Sequence, residues 1–136
     1  MSTYSISFKI LSTNHIIIDA KVNNVDGKFL IDTGASNSCI DLTKSEKFKL
    51  NYGKSDEQAS SATDDIKDTY ISKKNLLLID KYYIHDFDII LFNMEHVIKS
   101  LLDKDEIEID GIIGADLLIK YNCCIDFKEK TLLIKS

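Results

Sequence analysis

One feature limits what this chain can build more than any other. The apolar run Phe29-Leu30-Ile31 breaks straight into Asp32-Thr33-Gly34-Ala35-Ser36. A carboxylate therefore stands where a buried strand ends in a tight turn, with glycine and two small residues behind it. Such a turn presents Asp32 to a cleft while neighbouring backbone N–H groups hold it. The sequence carries a single Asp-Thr-Gly, so chemistry that needs two such carboxylates would take the second from another copy of the chain.

The rest of the sequence reads mainly as short strands. Tyr4–Leu11 alternates, with Ile6, Phe8 and Ile10 on one face. Ile16–Val22 is a second strand, and Lys28–Ile31 returns after Asn23-Asn24-Val25-Asp26-Gly27, where Asp-Gly is the hairpin signal. Cys39–Leu42 continues extended, and Thr43-Lys44-Ser45-Glu46 reads as a helix start capped by Thr43. Two longer strands, Asp68–Ile79 and Tyr82–Phe92, are joined by a turn at Asp80-Lys81. Met94–Leu102 has helical spacing with Asn93 as its cap, and Asp103–Glu108 is an acidic connector. Ile112-Ile113 is a buried strand, Gly114 a point of close backbone approach, and Ala115–Tyr121 a helix. Cys123–Phe127 and Thr131–Lys135 close the chain as a hairpin. The expected fold is mainly all-β, a closed β-barrel lobe with one or two short helices, formed by residues 1–136 as one domain.

Charge and cysteine usage exclude several roles. A net charge of −5, with lysines scattered among acids, gives no cationic face for nucleic acid. No apolar run approaches the roughly 18 residues of a membrane span, and the N-terminus lacks the pattern of a signal peptide. Three cysteines, Cys39, Cys123 and Cys124, argue against a disulfide framework and fit a reducing cytoplasm.

Here the resemblance becomes specific. Residues 29–36, with Ile112-Ile113-Gly114-Ala115-Asp116-Leu117-Leu118 about eighty residues on, resemble the paired signature of retropepsin-like, single-lobe aspartic proteases, especially their small bacterial members. The likeness extends over essentially the whole chain. It implies a closed acid-protease barrel, peptide-bond hydrolysis, and a homodimer in which Asp32 of each subunit forms the catalytic pair. Thr33 would brace the two loops, Gly34 would let the backbone reach the shared site, and Ala35 and Ser36 would pack beneath, with Ser36 reaching an oxygen of Asp32. The polar stretch Asp56–Tyr70 takes the place of the flap over a peptide or protein substrate. Its tip, Ala59, Ser60, Ser61, Ala62 and Thr63, lacks the glycines usual there. The terminal strands would join the subunit interface, and no metal or organic cofactor is implied. A catalytically silent peptide-binding or dimerisation module with the same fold is the rival reading.

Other candidate sites carry less. His85, Asp86, Asp88 and His96 match no familiar zinc spacing. Cys39 reads as a small buried hydrophobe and Cys123-Cys124 as packing residues on opposite strand faces. Asp116 opens a helix, where a carboxylate suits the positive N-terminus.

Overall fold

Consecutive apolar residues in this chain face two different cores, and that sets the architecture. The computed structural model describes residues 3–54 and 69–135. Its strands are β1 (Thr3–Ser7), β2 (Lys9–Ile10), β3 (Ile16–Val22), β4 (Val25–Ile31), β5 (Cys39–Asp41), β6 (Gly53–Lys54), β7 (Tyr70–Ile79), β8 (Tyr82–Phe92), β9 (Gly111–Ile113), β10 (Cys124–Asp126) and β11 (Thr131–Lys135). Two helices, α1 (Glu95–Asp105) and α2 (Ala115–Lys120), and a 3-10 turn at Leu42–Lys44 complete it.

Six strands, in the order β3-β4-β9-β5-β8-β7, form a barrel that closes where β7 returns to β3 through Lys21↔Leu78 and Val22↔Leu77. Ile16, Ile18, Val22, Phe29, Ile31, Ile40, Leu91 and Ile113 fill its interior. Their immediate neighbours Ile17, Leu30, Cys39, Ile90 and Ile112 point outward, where Met94, Ile98 and Leu101 of the α1 segment cover them. A strand alternates faces with period two, so burial on both faces is what turns Phe29-Leu30-Ile31 and Ile112-Ile113 into unbroken apolar runs. β9 lies parallel to β4, with Ile31 opposite Ile113, and antiparallel to β5. This parallel pairing brings the two sequence motifs side by side.

A second sheet of three strands runs β1-β11-β10, with Thr3 opposite Lys135 and Cys124 opposite Leu133. The strand expected over Tyr4–Leu11 breaks at Phe8: β1 joins this sheet, β2 joins β3, and Ile10 is left exposed at 38%. The β3–β4 turn is Asn23-Asn24, with φ of 51° and 69°, not Asp26-Gly27, which lies inside β4. A two-residue hairpin of this type has both central residues in the left-handed region, and asparagine tolerates it. Thr43 caps no helix; its hydroxyl donates to the Asp41 carboxylate, whose other oxygen accepts the Met94 N–H at 3.0 Å. Helix α1 runs three residues further than expected, to Asp105, with Asn93 Oδ1 accepting the Glu95 N–H at 2.9 Å. Among the described residues no helix is long and apolar enough to cross a membrane.

Candidate active site

The site is built where β4 ends. Asp32 follows Ile31, the last inward-facing residue of the strand, and its N–H donates to the Ile113 carbonyl of β9 at 3.0 Å. The chain then turns: Ala35 N–H donates to the Asp32 carbonyl at 3.2 Å, and Gly34 N–H donates to Asp32 Oδ1 at 2.9 Å. Asp32, Thr33, Gly34 and Ser36 are exposed, and Ala35 is half-buried against the α1-covered core. Gly34 is not there for a left-handed backbone, since no described glycine has positive φ. A Cβ there would lie 3.3 Å from Asp32 Oδ1, a tight contact with the carboxylate it holds. The turn thus points a carboxylate outward while using one of its oxygens to fix its own loop.

The second motif backs the first. Gly114 passes so close that a Cβ would sit 2.6 Å from the Ala35 carbonyl oxygen and 3.0 Å from Asn37. Ala115 N–H donates to that carbonyl at 2.7 Å. Ile112 and Ile113 face opposite cores, which holds β9 in register. Asp116 stands in the first turn of α2, as expected, but makes no side-chain cap there. Its carboxylate reaches across to Ser38, accepting the Ser38 N–H at 3.0 Å and the hydroxyl at 2.8 Å. Ser38 is 2% exposed, and its hydroxyl also accepts the Gly114 N–H at 3.0 Å.

A buried carboxylate anchors the other end of β9. Asp110 accepts the Lys28 N–H at 2.8 Å, Lys44 Nζ at 2.9 Å and Lys47 Nζ at 3.0 Å. Burial pushes its pKa up, but the Lys44 bond, the Lys28 N–H and Lys47 together outweigh this, leaving it below the ordinary carboxylate value. Neither Ser38 nor Asp110 stands out in the sequence. The available signal for Asp110 is a charged residue opening the apolar run Gly111-Ile112-Ile113.

The remaining candidates separate from the site. Cys39 is buried beside Leu30, Ile90 and Ile112, as a small hydrophobe should be. Burial pushes its thiol up to about 12, with Asp116 and Asp32 adding to the effect and a backbone bond to Ile112 opposing it. His85 is exposed and stacks on Tyr83, and His96 is exposed on the first turn of α1. Among the described residues no three His, Cys, Asp or Glu side chains group to hold a metal. The expected flap tip, Ala59 to Thr63, lies outside the described residues.

A family model described as aspartyl protease matches residues 18–117, which run from β3 through both motifs into α2. The chain belongs to the aspartyl protease family. Solved structures place the fold of this family member among retropepsin-like proteases. The retropepsin-like aspartic protease from Rickettsia conorii superposes with a TM-score of 0.63 at 22% identity, over 98% of this chain and 89% of that one. The retroviral protease-like domain of Ddi1 from Leishmania major gives 0.56 at 20% identity, over 87% and 86%. EIAV protease, solved with the inhibitor HBY-793, gives 0.53 at 14% identity, over 78% and 86%. No curated protein is matched by sequence. At these identities the solved structures establish the fold of this aspartyl protease family member, a closed barrel with two short helices.

Proposed function

We propose that this chain is an aspartic endopeptidase that works as a homodimer, with Asp32 of each subunit forming the catalytic pair. One observation carries the reading: in an aspartyl protease fold, the single Asp-Thr-Gly presents an exposed Asp32 on a loop fixed by backbone bonds from both motifs. Two carboxylates held in contact cannot both ionise cheaply and share one proton. The ionised one takes a proton from water as the oxygen attacks the scissile carbonyl carbon, while the protonated one gives its proton to the carbonyl oxygen. The tetrahedral diol then collapses, the C–N bond breaks, and a proton passes from a carboxyl group to the leaving amine. Proton stoichiometry closes without a metal or organic cofactor.

Thr33, Gly34, Ala35 and Ser36 form the loop that carries Asp32. Within one chain β11 already has strands on both sides. A second copy that extends the terminal sheet therefore adds at the outer edge of β1 or β10. The test is cleavage of a diverse peptide library between about pH 3 and 8. Asp32→Asn is expected to lower the rate by about 10²–10⁴-fold with unfolding temperature unchanged. Undiminished cleavage by that variant, or no cleavage by the native protein, overturns the reading; peptide binding without cleavage is what a silent module would give.

A further inference from the structure

Four consecutive residues of the second motif each bind the Asp32 loop. The Ile113 carbonyl holds the Asp32 N–H, Gly114 N–H donates to Ser38 Oγ, Ala115 N–H donates to the Ala35 carbonyl, and Asp116 takes both the N–H and the hydroxyl of Ser38. On the second motif's side the first three use main chain, so many side chains at 113 and 115 would preserve them. The fourth depends on the side chain of residue 116. Its direction is fixed as well. The Ser38 hydroxyl has one proton, and since Gly114 N–H donates to its oxygen, that proton goes to Asp116. Both carboxylate oxygens accept from the same buried residue; an asparagine would keep the Ser38 N–H bond, but its NH₂ would face the hydroxyl and turn the hydroxyl proton away from its acceptor.

The loop from Asp32 to Ser38 is thus tied at three points: at its start by Ile113, in the middle by Ala115, and at its end by Asp116. Ser38 is also fixed to the barrel, because its carbonyl accepts the Ile90 N–H at 3.0 Å. We propose that Asp116, acting through Ser38, is a positioning residue for Asp32. It is the side chain by which the second motif sets where the catalytic loop ends, and it takes no part in proton transfer. Its catalytic consequence rests on the Asp32 reading above; its structural consequence does not.

The experiment compares native protein, Asp116→Asn, Ser38→Ala and the double variant, measuring kcat and KM separately together with amide hydrogen exchange. Each single variant is expected to lower kcat by about tenfold with KM changed less than about twofold, because a displaced reacting group harms the transition state more than peptide binding. The double variant should be no slower than either single one, since both remove the same contact. Ser38→Thr, which keeps the hydroxyl, should retain most of the native kcat. Exchange at Gly34 and Ala35, whose N–H groups bond Asp32, should accelerate in Asp116→Asn while β4 and β9 amides stay protected. Native kcat in Asp116→Asn, or additive losses in the double variant, overturns the proposal. If the native protein cleaves nothing, accelerated exchange confined to this loop upholds the tether while the peptidase reading falls, and unchanged exchange removes the tether.

Discussion

Replacing Gly114 by alanine tests the contact between the two motifs most directly. Gly114 has an ordinary extended backbone, φ −102° and ψ −171°, so alanine meets no conformational bar. The obstacle is steric. The added Cβ would stand 2.6 Å from the Ala35 carbonyl oxygen, where comfortable contact is about 3.5 Å, so the loop must yield by about 0.9 Å. That oxygen is backbone and already accepts the Ala115 N–H at 2.7 Å, which leaves no rotamer to move aside. Overpacking of this kind costs about 1–3 kcal/mol, against about 0.4–1 kcal/mol gained by stiffening the unfolded chain. The steric term wins, and unfolding temperature should fall by several degrees. Gly53→Ala is the control: no described residue lies within 4 Å of its Cβ position, so the entropic gain operates and stability should rise slightly. The assay is thermal unfolding of both variants, followed by peptide cleavage. A displacement approaching 1 Å at the loop carrying Asp32 should cost about 10²-fold in kcat. If Gly114→Ala matches Gly53→Ala in stability and keeps native kcat, the motifs are not in the tight contact on which the site is built.

Two further outcomes follow from the buried groups. Asp110→Asn should destabilise by about 1.5–3 kcal/mol at neutral pH. Because folding lowers the Asp110 pKa, its contribution is present above the ordinary value near pH 4 and is lost as pH falls through the folded value. The gap between native and variant stability should therefore close on acidification, and a gap that widens refutes the assignment. Thiol alkylation of the native protein near neutral pH should label the exposed Cys124 first. Burial pushes Cys39 up to about 12 and Cys123, with Cys124 beside it, up to about 11; three equal rates would contradict this.

Long strands rich in β-branched and aromatic residues and bounded by turn residues were legible from sequence. Ile16–Val22 and Tyr82–Phe92 are read with the bounds they have. Asp32 was legible for a similar reason: an apolar strand ending in a small-residue turn is a local pattern. What escaped was decided by contacts distant in sequence. Asp116 reads as a helix-end charge until β9 is laid beside β4, which brings it to Ser38, 78 positions away. Asp110 and Lys44, 66 positions apart, are an ordinary acid and an ordinary lysine until they meet. Asp26-Gly27 misled because it has the composition of a turn, yet Asn23 bonds Phe48, Asn75 and Leu76 and fixes the turn earlier. The helix over Met94–Leu102 is periodic, but nothing in the period says that it covers the outer face of a barrel.

The terminal sheet has a mechanical consequence. β1 and β11 run antiparallel with Thr3 opposite Lys135 and Ser7 opposite Thr131, so both ends of the described chain leave from the same end of the ladder. Tension applied between those ends loads the hydrogen bonds one at a time, as in unzipping, rather than all together in shear. The seam that joins the chain's extremities is thus the part that a pulling force opens first. Asp32 follows β4 and bonds β9, both in the other sheet, so the load reaches it only after the ladder has peeled.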